Sequence, residues 1–255
     1  ANGNVTQNTY DFFGNIIKSE KRVGSEKYIT AYSYDLRGNV IVEVSPIDYD
    51  TAKSELSDMP HTRYIYDTAG RLVFKKYVKH GIETVLAAYQ YDKKGNLIKE
   101  LNEEQYANAD GETMAQKIQL GTGTSYCYDG LGQLTEKTDA LGQKEYYTYD
   151  GAGRKIMTTD SANVMIGYQY NTDGKVTRVL RGHKQGTPRV EKTITYDKLG
   201  NLLTVMDAAG NTTSYTYTSL AQIKSEILPG DETIAPQTTT YAYDTVGITA
   251  GDKVT

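Results

Sequence analysis

A tyrosine-centred motif recurs ten times along this chain of 255 residues. Eight copies continue with aspartate, eight carry a second tyrosine two residues earlier, and nine have glycine four residues later. The anchor tyrosines are Tyr10, Tyr34, Tyr66, Tyr91, Tyr128, Tyr149, Tyr170, Tyr196, Tyr217 and Tyr243. Repeats of a few tens of residues are typical of arrays in which each unit packs mainly on its neighbours. The pattern therefore predicts one repeat array over residues 1–255, without an internal domain border.

Each copy has the residues of a β-hairpin. Tyrosines two apart, such as Tyr89 and Tyr91, lie on one face of a strand, and tyrosine favours strands. The following Asp-x-x-Gly predicts a turn, because aspartate accepts a bond from the N–H two residues on and glycine tolerates positive φ. An apolar run such as Leu97-Ile98 then forms the return strand. Ten copies predict an all-β fold of about 20 antiparallel strands.

The turn residues that define the repeat follow directly from the alignment of the copies. The aspartates are Asp11, Asp35, Asp67, Asp92, Asp129, Asp150, Asp197 and Asp244. The glycines are Gly14, Gly38, Gly70, Gly95, Gly132, Gly153, Gly174, Gly200 and Gly247. Ala221 replaces glycine in the copy whose aspartate is also replaced, by Thr218, so we expect a different turn with negative φ there.

A second turn, eleven residues after the anchor, joins successive hairpins in the shortest copies, as in Asp139-Ala-Leu-Gly142. Longer copies grow at this second turn, so the insertions gather along one rim. The inserted loops are residues 46–60, 79–81, 101–120, 182–188 and 228–237. We expect single helical turns within residues 50–57 and 101–107. The chain begins and stops inside a repeat, which predicts a fragment of a longer protein.

Charge and hydropathy exclude several function classes. The net charge is −4, from 28 basic and 32 acidic residues that are interspersed. The chain has no basic stripe of the kind that would indicate a nucleic-acid partner. No apolar stretch approaches the 18 or so residues that a membrane-spanning helix needs. The sequence therefore predicts neither nucleic-acid binding nor a membrane span.

Residues that could carry chemistry are few. His61, His80 and His183 lie in or beside the loops of different repeats, and we expect them to be solvated. Each turn aspartate offers one carboxylate where calcium needs six to eight oxygens, which favours turn capping. The stretch "GTGTSYC" at residues 121–127 lacks the lysine of a phosphate-binding loop and predicts a plain loop. Cys127 stands alone, which excludes an internal disulfide, and we expect a small packed residue. The sequence predicts no catalytic residue, no metal and no cofactor.

The tyrosine stripe leaves two interpretations open. Exposed aromatic rings stack on sugars, so Tyr147 and Tyr149 are candidate glycan-stacking residues. Tyrosines regular enough to form rows across neighbouring strands are also explained by cross-strand packing, and the chain has no Trp. We favour the structural ladder and keep a carbohydrate-binding or adhesion module as the alternative.

The motif Tyr-Asp-x-x-Gly-[Asn/Arg]-Leu, seen at Tyr91–Leu97 and Tyr66–Leu72, resembles the YD repeat of the Rhs family. This repeat also occurs in Tc toxin BC components, wall-associated bacterial proteins and teneurins. The resemblance implies a spiralling sheet that closes into a hollow shell, which in toxin members encloses a C-terminal effector and in teneurins serves adhesion. The family's core-associated segment, with its autoproteolytic aspartate pair, has no counterpart here, so no catalytic residue is carried over.

These observations together predict a non-enzymatic scaffold segment of a secreted or cell-surface bacterial protein. Its expected partners are the other repeats of the parent chain and an encapsulated or displayed downstream effector, with glycans as the alternative partner.

Overall fold

Strands in sequence order dominate the computed structural model, which describes residues 5–230 and 234–243. The chain divides into two compact units, residues 1–143 and 144–255. The strands of the first unit are β1 (Val5–Tyr10), β2 (Ile16–Val23), β3 (Glu26–Tyr34), β4 (Val40–Val44), β5 (His61–Tyr66), β6 (Leu72–Lys79), β7 (Ile82–Tyr91), β8 (Leu97–Asn102), β9 (Thr124–Tyr128) and β10 (Leu134–Thr138). Within this unit each strand pairs antiparallel with the next along the chain.

The second unit has the same organisation. Its strands are β11 (Lys144–Tyr149), β12 (Lys155–Thr159), β13 (Val164–Tyr170), β14 (Val176–His183), β15 (Arg189–Tyr196), β16 (Leu202–Asp207), β17 (Thr212–Tyr217), β18 (Ile223–Leu228) and β19 (Gln237–Thr240). Here too every strand pairs antiparallel with its successor. The predicted all-β class of tandem antiparallel hairpins is confirmed.

A β-bulge marks every anchor tyrosine from Tyr10 to Tyr217. Tyr66 pairs with Leu72, but its neighbour Ile65 pairs with Phe74, so Val73 is the extra residue on the return strand. The same shift recurs at the other eight anchors of this range. Because a bulge bends its strand and increases the local twist, each hairpin carries the same kink next to its turn.

The two faces of the first unit differ. Alternation along β3 places Tyr32 and Tyr34 on one side, the tyrosine face, and Ala31 on the other. Ala31 pairs with Val44, and both are buried beneath Met59 of the 46–60 insertion. A second cluster on this covered face gathers Phe74, Ala88 and Leu101 from the sheet with Tyr106, Ala109 and Ile118 from the 101–120 insertion. The insertions therefore supply the core that a single sheet lacks.

Helical structure is confined to the insertions within the described ranges. The expected turn in residues 101–107 is confirmed by helix α1 (Glu103–Ala107), which begins with a capping box from Asn102 and Gln105. A second helix, α2 (Met114–Leu120), was not expected, although its capping box of Thr113 and Gln116 is readable in the sequence.

The helical turn expected in residues 50–57 is found only at the end of that segment, as a 3-10 turn at Leu56–Asp58. Asp50 instead closes a turn, accepting the N–H of Lys53 at its carbonyl and that of Ala52 at its side chain. Aspartate side chains that bind nearby backbone compete with helix in this way.

Candidate functional site

The most regular chemistry of the chain lies in the Asp-x-x-Gly turns. In one of them, Asp35 Oδ1 accepts the N–H groups of Arg37 and Asn39, both at 2.9 Å, and Oδ2 accepts Asn39 Nδ2 at 2.9 Å. The hydrogen bond from the Asn39 side chain, followed by that from its backbone, lowers the pKa of Asp35 below its ordinary value. The Asp35 carboxylate is therefore held ionised as the cap of its own turn.

The other turn aspartates behave alike. The two backbone bonds seen at Asp35 recur at Asp11, Asp67, Asp92, Asp129, Asp150 and Asp197. Asn171 makes the same bonds where it replaces aspartate. Asp244 lies outside the described residues. No cluster of three or more His, Cys, Asp or Glu side chains suited to a metal occurs in residues 5–230 and 234–243.

The turn glycines adopt the left-handed conformation that the turn requires. Their φ values run from +79° at Gly174 to +97° at Gly95, and Gly153 has +80°. The other members are Gly14, Gly38, Gly70, Gly132 and Gly200, and Gly247 lies outside the described residues.

The negative φ expected at Ala221 is wrong, because its φ is +60°. Thr218 Oγ1 accepts the N–H groups of Leu220 and Gln222, both at 3.3 Å, as aspartate does elsewhere. The Ala221 N–H donates to the Thr218 carbonyl at 3.0 Å, the bond that glycine makes in the other turns. The same hydrogen bonds thus impose the same backbone despite both replacements.

Seven anchor tyrosines of the described residues each join their own hairpin to the preceding hairpin of the same unit. Tyr34 donates its hydroxyl to the Ile16 carbonyl at 2.7 Å, and Ile16 is the residue paired with the preceding anchor, Tyr10. Six further anchors donate to the equivalent carbonyl, at 2.5 to 3.0 Å: Tyr66 to Val40, Tyr91 to Leu72, Tyr128 to Leu97, Tyr170 to Lys155, Tyr196 to Val176 and Tyr243 to Ile223. The motif therefore carries its own link between repeats.

The leading tyrosines, two residues before the anchors, bind carboxylates on the tyrosine face. Tyr64 donates to Glu43 Oε2 at 2.5 Å and Tyr126 to Glu100 Oε1 at 2.6 Å. Burial, with the Glu43 hydrogen bond second, raises the pKa of Tyr64 well above its ordinary value. The Tyr64 hydroxyl therefore stays protonated and serves as a donor rather than as a base.

The two candidate glycan-stacking residues sit in the same framework. Tyr147 and Tyr149 are half-buried on β11. Tyr147 donates to Glu145 Oε2 at 2.5 Å, and the Lys155 ammonium lies 4.8 Å from its ring centroid. Burial, followed by the Glu145 bond, raises the pKa of Tyr147 to about 12. One face of the Tyr147 ring is thus already covered by a cation.

The histidines and the cysteine do not converge on a site. The solvated position expected for His61 is wrong: it is 6% exposed, and its Nδ1 lies 2.8 Å from the Met59 carbonyl. The neighbouring Met59 at the end of the 46–60 insertion is itself buried, which the loop length alone did not reveal. His80 and His183 are exposed, as expected. The packed position expected for Cys127 is wrong, since its side chain is exposed.

The buried polar side chains are paired. Within the described ranges every buried side-chain nitrogen and oxygen has a hydrogen-bond partner. Shallow grooves lie between successive turns, and in the one beside Arg37 and Tyr64 the Arg37 guanidinium is bonded to the Thr68 carbonyl and the Tyr64 hydroxyl to Glu43. No helix of the described residues is both long and apolar enough to cross a membrane.

The repeated hairpin motif matches a known family of repeats. The profile described as RHS Repeat matches residues 128–165 and 196–233, which contain the anchors Tyr128, Tyr149, Tyr196 and Tyr217. These segments are RHS repeats. The anchors Tyr34, Tyr66 and Tyr91, which lie outside the matched residues, make the same bulge and hydroxyl bond as Tyr128 within them.

Solved structures with a similar chain trace are much longer proteins. One match is the crystal structure of TcdB2-TccC3 without its hypervariable C-terminal region, to which this chain is 18% identical in sequence. The alignment covers 95% of this chain and 15% of the TcdB2-TccC3 chain, with a TM-score of 0.47. Another match is the structure of the Photorhabdus luminescens Tc holotoxin pore, to which this chain is 16% identical. The alignment covers 94% of this chain and 18% of the matched chain of the pore, with a TM-score of 0.35. This chain spans less than a fifth of the length of either of these proteins. No curated protein gives a significant match.

Proposed function

We propose that this chain is a non-enzymatic scaffold segment of a secreted or cell-surface bacterial RHS-repeat protein. It contributes hairpins to a β-shell that encapsulates or displays a downstream effector. The RHS-repeat match and the uniform hairpin chemistry support this function.

One observation carries the proposal: the polar side chains of the repeat are used by the repeat itself. The turn carboxylate of Asp92 caps its own turn, and the hydroxyl of Tyr91 bonds the preceding hairpin at the Leu72 carbonyl. A catalytic site needs groups aimed at a substrate, whereas here the same groups hold neighbouring strands together. Side chains that hydrogen-bond within the repeat array are suited to a structural β-shell.

Protection from protease tests the encapsulation. The parent protein is digested under native conditions, beside its downstream segment expressed alone. We expect the downstream segment to resist cleavage in the parent and to be cut rapidly when isolated, because a closed wall excludes the protease. Equal cleavage rates in the two samples would refute encapsulation.

The alternative, glycan binding through Tyr147 and Tyr149, predicts a different result. The Lys155 ammonium over the Tyr147 ring competes with sugar stacking. We expect no saturable signal on a glycan array from the parent protein or this chain. Binding that Tyr147→Ala and Tyr149→Ala abolish would establish the alternative, provided that Tyr146→Ala, at a neighbouring residue 43% exposed, leaves it intact.

A further inference from the structure

Five turns reach across to the next turn of their own unit through a basic side chain. Arg37 Nη1 donates to the Thr68 carbonyl at 2.9 Å, and Lys94 Nζ donates to the Gly130 carbonyl at 2.8 Å. Arg71 donates to the Asp92 carbonyl at 3.0 Å, Arg154 to the Asn171 carbonyl at 3.2 Å, and Lys175 to the Gly200 carbonyl. All five side chains stand three or five residues after an anchor tyrosine. The same two positions therefore serve five separate junctions.

The arginines at the fifth position connect three groups at once. Arg154 Nε binds its own turn aspartate, Asp150, at 2.7 Å, while Nη1 reaches Asn171 in the next turn. Its guanidinium also lies 4.8 Å from the ring centroid of the next anchor, Tyr170. Arg71 repeats this arrangement. A planar, multidentate guanidinium suits such bridging.

The four other turns within residues 5–230 carry no basic residue at either position, and their third residue is exposed to solvent. Phe13, Leu131, Leu199 and Leu220 are 83%, 85%, 82% and 79% exposed. At the fifth position of two such turns, Asn15 and Asn201 bind only their own aspartate through the side chain, within the part of the chain that the structure describes. These turns have a cap but no bridge.

We propose that the basic residue at the third or fifth position is a clamp that locks one hairpin to the next. Two turns without it, residues 11–15 in the first unit and 197–201 in the second, are each followed by a described turn of the same unit, and these two are the compliant joints of the array. The turn sequence thus determines which parts of the sheet are rigid, and the sheet bends at the turns that lack the clamp. This inference concerns mechanics and does not depend on encapsulation.

Amide hydrogen exchange on the whole chain tests the clamp. Arg154→Asn retains the bond to Asp150, as Asn39 does to Asp35, but cannot reach Asn171. We expect exchange at residues 171–175 to rise about fivefold, the effect of losing about one net hydrogen bond, with residues 150–154 unchanged. Arg154→Lys should keep the protection, because Lys175 clamps from the equivalent position.

The reciprocal variant adds a clamp to a joint. Asn201→Arg places a guanidinium where Arg154 stands in its own turn, so we expect exchange at residues 218–222 to slow about fivefold. Residues 35–39 of the first unit serve as the reference in both variants. Unchanged exchange at residues 171–175 in Arg154→Asn, or an equal rise in its own turn, would overturn the clamp. A folded Asn201→Arg without added protection would overturn the assignment of the joint.

Discussion

At the scale of single residues, one tyrosine serves two hairpins. The backbone of an anchor forms the end of its own hairpin, while its hydroxyl binds a carbonyl of the hairpin before it. That carbonyl belongs to the residue paired with the preceding anchor, so the contact repeats whatever the length of the intervening loop. The variable spacing of the repeat is therefore compatible with a constant joint.

Removal of a single anchor hydroxyl measures this joint. Tyr91→Phe leaves the Leu72 carbonyl without its donor and should lower the free energy of local opening by about 0.5–1.5 kcal/mol. The readout is hydrogen exchange in β6 and β7. Tyr10→Phe is the control, because Tyr10 is 55% exposed and its hydroxyl accepts only a long 3.4 Å bond from Asn8; a change within about 0.5 kcal/mol is expected. Equal losses in the two variants would contradict the joint.

Ala221 provides a second test at this scale. A non-glycine residue in the left-handed region is strained by about 1–2 kcal/mol. Glycine avoids most of this strain, but it loses more conformational entropy on folding, which offsets part of the gain. Ala221→Gly should therefore stabilise its turn by about 0.5–1 kcal/mol, and Gly153→Val should destabilise its turn by about 1–3 kcal/mol. Exchange at residues 218–222 and 150–154 measures both. Destabilisation by Ala221→Gly would mean that its φ is not positive.

At the scale of elements, the insertions act as lids that give a single sheet its core. Leu101 on β8 is 1% exposed and packs in the cluster with Tyr106 and Ile118. Leu101→Ala should cost about 2–5 kcal/mol, the range for a buried leucine. Leu120→Ala on α2, at a site 59% exposed, should stay within about 0.5 kcal/mol. Urea denaturation, with hydrogen exchange in β7, β8 and α1, measures the stability lost in each of the two variants. Equal losses of unfolding free energy in Leu101→Ala and Leu120→Ala would show that the insertion does not pack on the sheet.

The hairpins were predictable because their chemistry is local. Asp35 and Gly38 act within one turn, and every participant is adjacent in sequence. The Tyr34 hydroxyl bond could not be read in the same way, since it depends on the register between two hairpins. The burial of His61 depends on the path of a long insertion, which no local pattern specifies. The environment of His61 was therefore mispredicted for want of long-range contacts. Ala221 and the 50–57 segment, in contrast, were misjudged within local turns, where hydrogen bonds of Thr218 and Asp50 to nearby N–H groups set the backbone.

At the scale of the whole molecule, many weak caps act together. Hydrogen bonds, chiefly from the side chains of Asn96 and Asn201, lower the pKa values of Asp92 and Asp197. A lowered folded pKa favours the ionised form, so this stabilisation is present above the unfolded value of about 4 and is lost as pH falls through the folded pKa.

Acid should therefore loosen the array turn by turn. We expect exchange at the turn amides to accelerate below about pH 4, after correction for the intrinsic rates. Asp35→Asn should weaken this dependence at residues 35–39, because Asn171 caps a natural turn without a titratable group. An unaltered acid dependence at that turn would show that its carboxylate is not the source.

A cryo-electron microscopy map of the parent protein tests the scaffold most directly. The account predicts a wall in which successive hairpins of this segment are joined by anchor hydroxyl-to-carbonyl bonds, with density for the downstream segment on the enclosed side. Hairpins joined in that way but forming an open strip, with the downstream segment outside and the tyrosine face free in solvent, would contradict the proposed shell and favour an adhesive module.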